Sequence, residues 1–133
     1  MTIDLVLRFE LLLELDAPMR YDSLSGARGF SRVLGGTLSG PGLDARVATD
    51  GGDYELVRPD GVVEIDGRYV ARTDDGIVLY LQNRGFVLDD GSIRCSPRIE
   101  TSPGRLQALS RALIVGVGRR EAGVARIRCY EAP

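Results

Sequence analysis

Three acids stand out as groups able to move protons: Asp53, Asp66 and Glu100. A carboxyl group drawn out of water has its pKa raised toward neutrality, where it works as a general acid or base. The sequence surrounds them with groups suited to holding an oxygen that gains negative charge. Arg68, Arg72 and Arg98 each present a fixed fork of donors. Tyr80 and Asn83 add a hydroxyl and an amide, the donors that an oxyanion site uses, and Tyr54 stands beside Asp53. Proton transfer with electrostatic stabilisation is the chemistry this set supports, and no cofactor is called for.

Other chemistries lack their parts. The chain has no His, which removes the usual acid/base residue near pH 7 and the commonest metal ligand. Ser96 and Ser110 therefore have no triad partner, and Cys95 has no base. Cys95 and Cys129 lie far apart without C-x-x-C spacing, so no metal site is expected. A disulfide between them requires neighbouring strands. Gly35-Gly36-Thr37-Leu38-Ser39-Gly40 lacks the Gly-Lys-Ser/Thr ending of a phosphate loop. Asp74-Asp75 precedes Gly76 and reads as a solvated turn pair. All 17 basic residues are Arg, set against 19 acids for a net charge of −2. That balance gives no pull toward nucleic acid or anionic lipid, and no basic patch carries interleaved aromatics. No run approaches the ~20 apolar residues of a membrane span. The N-terminal residues lack the basic and apolar regions of a leader, so the expected compartment is the cytoplasm.

Short strands must position these residues. Leu5, Leu7, Phe9, Leu11, Leu13 and Leu15 alternate with a second set containing Arg8, Glu10, Glu14 and Asp16, a period of two. Pro18 and the lack of an N-cap also argue against a helix. Tyr21–Phe30 reads as a loop and Phe30–Ser39 as a strand in which Gly35 and Gly36 mark a bulge, bend or close approach. Leu43–Val47 and Tyr54–Val57 are short strands. Val62–Thr73 and Ile77–Asn83 form a hairpin about the Asp75-Gly76 turn. Ser92–Glu100 is extended, with Pro97 requiring an edge or bulge. Arg105–Arg111 is expected to form one helical turn capped by Ser102. Ala112–Gly118 reads as a buried strand containing Val115 and Val117, Arg119–Gly123 as a turn, and Val124–Glu131 as the last strand.

About eight to ten strands with turns every 8–12 residues predict an all-β fold. A single closed or nearly closed antiparallel barrel over residues 1–133, with at most one short helix, removes exposed sheet edges. Which charged face points inward is left open by the pattern. Glu64, Asp66, Arg68 and Arg72 share one face; inside a barrel they would form a paired network around a ligand, and outside a solvated surface. For the partner strand the aliphatic face is the default core face, which sends Asn83 inward with Leu79 and Leu81. Arg98 and Glu100 form an ion pair in a pocket on one reading and at the surface on the other.

Several segments resemble one bacterial family. They are Gly35-Gly36-Thr37-Leu38-Ser39-Gly40-Pro41, Gly51-Gly52-Asp53-Tyr54, Arg72-Thr73-Asp74-Asp75-Gly76, Asn83-Arg84-Gly85, Pro97-Arg98-Ile99-Glu100-Thr101 and Val115-Gly116-Val117-Gly118. In this order they resemble domain of unknown function 3237, over about residues 5–131. The chain differs in having Tyr54 where members commonly carry Trp, and in a shorter Phe86–Arg94 segment. The resemblance implies a calycin-like (lipocalin-like) barrel and, since some members sit in natural-product gene clusters, a tailoring role. The function expected is a cofactor-independent cyclase, isomerase or dehydratase acting on a hydrophobic, oxygenated, polyketide-like metabolite held in the lumen. The alternative is a non-catalytic barrel that carries or senses a small molecule. Asp53, Asp66 and Glu100 would be the catalytic acids, and Tyr54, Arg68, Arg72, Tyr80, Asn83 and Arg98 the substrate-binding groups. A homodimer is the default assembly for a small bacterial protein.

Overall fold

Alternation decides which side chains meet. Phe9, Leu11, Leu13 and Leu15 are buried while Arg8, Glu10 and Glu14 are exposed, so this first strand presents one apolar face to the interior. The computed structural model of residues 1–133 repeats the pattern in an all-β, antiparallel fold. Its strands are β1 (Val6–Leu15), β2 (Met19–Ser23), β3 (Gly26–Gly40), β4 (Leu43–Val47), β5 (Gly52–Val57), β6 (Val63–Thr73), β7 (Val78–Val87), β8 (Ser92–Thr101), β9 (Leu113–Glu121) and β10 (Val124–Ala132).

Pairing runs β1–β10–β9–β8–β7–β6, passes through β4 and β5 to β3, and returns to β1. β4 lies beside Gly36–Gly40 and β5 beside Ala27–Arg32, so these two share one stave. β1 and β2 share another, since β3 pairs with one from Val33 onward and with the other up to Phe30. Ten strands thus close into a barrel of eight staves, a size whose interior side chains just fill. The expected closed barrel is the fold observed.

Most of the lumen is aliphatic. Phe9, Leu11, Val33, Leu38, Leu79, Leu81 and Ile114 are almost wholly withdrawn from water. One end is capped by the segment after β8, whose Leu106 is buried and whose Leu109 packs on the core. The segment is tied down by Arg105, which donates to both carboxylate oxygens of Asp75 and to the Gly42 carbonyl. Asp75 is exposed as expected, and the Arg105 and Thr73 hydrogen bonds hold its carboxyl well below the usual range. No helix is long and apolar enough to cross a membrane.

Several local expectations are corrected. Tyr21–Phe30 is not a loop: β2 and the start of β3 form a hairpin through Leu24 and Ser25. Every β2 residue is exposed, so no buried face left an alternation to read. In β9 the inward residues are Ile114 and Gly116, whereas Val115 and Val117 face out. The strand also continues to Glu121 instead of turning at Arg119, and the turn falls on Ala122 and Gly123, both at positive φ. The 3-10 helix (Gln107–Arg111) takes no cap from Ser102; Gln107 instead accepts the Gly104 N–H. The glycine pair does mark both a bulge and a close approach. Register shifts where Glu14 meets Gly35 and Leu15 meets Val33, and a Cβ on Gly36 would collide with the Leu12 carbonyl. Pro97 lies on an edge, because β8 pairs with β9 only over Ser92–Cys95. The Ser96 hydroxyl bridges that opening to the Ile114 carbonyl.

Candidate functional site

Strand parity separates the nine residues singled out for chemistry. On β6 the inward set is Ile65, Gly67, Tyr69, Ala71 and Thr73, so Asp66, Arg68 and Arg72 point outward. On β7 Leu79, Leu81 and Asn83 point in and Tyr80 points out. On β8 Ile93, Cys95, Pro97 and Ile99 point in, which sends Arg98 and Glu100 outward. Tyr54 is exposed on β5, where its ring packs against Phe30 at a centroid distance of 5.0 Å. A lumen lined by that charged row is therefore corrected. Aliphatic side chains outweigh arginines in the competition for the interior, and a period of two puts every second residue on the losing side. Asp66 pairs with Arg68 at 3.6 Å and Arg84 at 3.9 Å on the outer surface. Only Asp53 and Asn83 of the nine face the lumen, at 7% and 3% exposure.

They are joined there by residues the sequence reading passed over. Ser31, Asp53, Gly67 and Asn83 lie opposite one another across β3, β5, β6 and β7, forming one row around the wall. Glu55 follows Asp53 inward on β5 and is 2% exposed. Arg120 comes from β9, four staves from β5 in a ring of eight, and so reaches across the full diameter. Its guanidinium donates to Glu55 Oε2 at 2.8 Å and to the Ser31 hydroxyl at 3.2 Å, and lies 3.6 Å from Asp53 Oδ2. Arg20, from β2, approaches Glu55 Oε1 at 3.3 Å. Two acids and two arginines thus occupy the barrel end opposite the capped one. Tyr69 completes the group with its hydroxyl buried.

Electrostatics sets Asp53 apart. Burial pushes its carboxyl up to about 7; Arg120 opposes this, and Glu55 and Asp66 add to it. Burial also lifts the Tyr69 hydroxyl well above its ordinary range, with Cys95, Asp53 and Cys129 contributing and Asn83 acting against them. The Asn83 amide nonetheless makes no hydrogen bond of proper geometry to it. Asp53 Oδ1, Tyr69 Oη and Asn83 Oδ1 are all buried without a protein partner. The three residues line a cavity of about 20 Å³ that also touches Gly67, Leu13, Ile127 and Arg120. That holds roughly one water. A polyketide folded wholly inside the lumen, as the sequence reading expected, does not fit this space. A groove of about 570 Å³ lies instead on the outer face, beside Arg28, Tyr54, Asp66, Arg84 and Phe86. Its charged groups are of both signs. No three of His, Cys, Asp and Glu converge as metal ligands would.

The comparisons agree with this architecture. Residues 3–132 match the model of a family described as "Protein of unknown function (DUF3237)". The chain belongs to the DUF3237 family. A relative among curated proteins is the UPF0311 protein RPA1785 of Rhodopseudomonas palustris, 32% identical over 115 residues, covering 74% of this chain and 75% of that protein. Its crystal structure superposes with a TM-score of 0.93 at 26% identity, covering 100% of this chain and 99% of the other. A β-barrel-like protein from Acinetobacter baumannii gives a TM-score of 0.90 at 24% identity, with 100% and 98% covered. A structure described as an enzyme from Penicillium herquei gives 0.83 at 17% identity, with 100% and 96% covered. Likeness at the last two identities extends to the fold alone.

Proposed function

We propose that this DUF3237 protein is a cofactor-independent enzyme in which Asp53 is the general acid/base. Its substrate is a hydrophobic, oxygenated metabolite of polyketide type, and the reaction an isomerisation, cyclisation or dehydration. The observation that carries the reading is the position of Asp53: a buried carboxyl that lines a cavity, poised near neutrality, with one oxygen free of any protein partner. General acid/base groups work best when their pKa lies near the operating pH. As the carboxylate, Asp53 takes a proton from carbon beside a carbonyl. The electron pair moves onto the carbonyl oxygen, which accepts the Tyr69 O–H, and Asp53 returns the proton to a different atom. Because the cavity is small, only the oxygen-bearing end of the substrate enters, and the rest stays at the Arg120 end. A fungal relative in fold described as an enzyme is consistent with turnover in this barrel.

The test is deuterium exchange into the α-protons of acetone in D₂O, followed by proton NMR. The protein should accelerate exchange over buffer with a midpoint near pH 7, and Asp53→Asn should remove the acceleration. Exchange at the buffer rate, or equal in Asp53→Asn, would end the assignment. That outcome would favour a second reading, a filled barrel that acts through its surface, to which the aliphatic packing of the remaining lumen lends support.

A further inference from the structure

Gly67 makes room where a side chain would otherwise stand. It lies between Asp53 on one neighbouring strand and Asn83 on the other. A Cβ built there would meet the Tyr69 Cε1 atom at 3.2 Å and Asp53 Oδ1 at 3.5 Å. Asp53, Tyr69 and Asn83 all line the one small cavity that Gly67 also borders. Each side chain is at least nine-tenths buried, and each offers an atom with no protein partner. Buried polar atoms left unpaired cost about 1–3 kcal/mol apiece, so three around one hollow call for a shared partner. Their chemistry defines it. Ionised Asp53 Oδ1 and Asn83 Oδ1 accept, and the Tyr69 hydroxyl can donate. A water donating twice and accepting once satisfies all three, and the space is of that size.

From this geometry we infer that the hollow over Gly67 is a single-oxygen site, holding one water in the free protein and a hydroxyl oxygen of the ligand in the complex. The ligand half rests on the acid/base reading of Asp53; the water half does not. Tyr69 is then a ligand-contacting residue, and Gly67 shapes the site by its lack of a side chain. The site prefers ligands with a terminal or projecting oxygen over hydrocarbons of the same outline.

High-resolution crystals of the wild type and of Gly67→Ala test the water half. Gly67 is not at positive φ, so alanine fits its backbone. The wild type should show one ordered oxygen within hydrogen-bond distance of Asp53 Oδ1, Tyr69 Oη and Asn83 Oδ1. Gly67→Ala should lose that density and shift the Asp53 carboxyl titration, read by carbon-13 NMR, upward. Direct bonds from Tyr69 to Asp53 or Asn83, with no oxygen between, would overturn it. Wild-type crystals soaked in methanol test the ligand half: its oxygen should replace the water, and density confined to the outer face would refute replacement. If Asp53→Asn leaves acetone exchange intact while the ordered oxygen is present, the catalytic reading falls and the oxygen site stands.

Discussion

Arg120 and Glu55 join opposite walls of the barrel: Nη1 and Oε2 are 2.8 Å apart although 65 residues separate them in sequence. Glu55 sits over Gly29, whose missing Cβ leaves room for the carboxylate. The bond links β5 to β9 across the open end, where no backbone hydrogen bond can.

Removing Arg120 should leave the buried Glu55 carboxylate with only the longer contact to the exposed Arg20. With the Glu55 side chain 1% exposed and Arg120 17%, the pair is one whose breakage typically costs ~3–5 kcal/mol. Arg120→Met is expected to lose about that much in urea unfolding at pH 7. The double variant Arg120→Met/Glu55→Gln should recover most of it, because the under-compensated buried charge goes too. A double variant no more stable than the single one would show that the pair does not hold the wall.

Asp53 gives a dependence on pH with a definite sign. Its folded carboxyl titrates near 7 against an ordinary 3.8, so the folded state holds the proton more tightly. The contribution is fully present below about pH 4 and is lost as pH rises through 7. At 1.36 kcal/mol per unit, the upper bound is on the order of 4 kcal/mol. Asp53→Asn should be more stable than wild type at pH 8 and nearly equal to it at pH 4. Urea midpoints at the two pH values measure this, and a variant destabilised at pH 8 would contradict it.

The fold was legible because apolar and polar residues alternate strongly in β1 and β4, and Asp-Gly and Pro-Asp-Gly turns punctuate the strands. The site was legible in part. Asn83 follows from its parity with the buried Leu79 and Leu81, whereas Asp53 shares its phase in β5 with Glu55 and the half-buried Val57, which gave no aliphatic signal. Asp66, Arg68 and Arg72 attracted notice by charge density, but charge density alone does not tell the two faces of a strand apart. Arg120 was hidden by an assigned turn at Arg119–Gly123. Its signal was the phase of Ile114, Gly116 and Gly118, which continues to Arg120. That Arg120 meets Glu55 depends on barrel closure, a pairing between strands distant in sequence that no local pattern encodes.

The outer-face residues yield a contrasting expectation. Asp66 and Glu100 lie away from the lumen, the former with only long contacts to exposed arginines. Glu100→Gln should change stability by less than about 0.5 kcal/mol, as exposed substitutions do, and Asp66→Asn, which removes a half-buried, ion-paired carboxylate, by less than about 1 kcal/mol. Both should keep any acetone exchange the wild type shows. A loss of exchange in either one, with folding intact by circular dichroism, would move the chemistry to the outer wall.

Gly116 separates the two cysteines. It pairs with Cys95 on one side and Cys129 on the other. Because β9 lies between them, their Cα atoms are two strand spacings apart, ~9–10 Å. A disulfide spans at most ~7 Å, so the pairing that neighbouring strands would have allowed is ruled out, and both cysteines are free and buried. Burial lifts the Cys95 thiol to about 11, which makes it a poor nucleophile. A Cβ on Gly116 would stand 2.6 Å from Cys95 Sγ and 2.9 Å from Ile127 Cγ2. Gly116→Ala should accordingly cost ~1–3 kcal/mol by overpacking. Cys95→Ala in the same chain should return part of that loss, because it removes the nearer of the two clashing atoms. Denaturant midpoints of the two single variants and the double would read the coupling, and strictly additive losses would show that Cys95 is not what Gly116 makes room for.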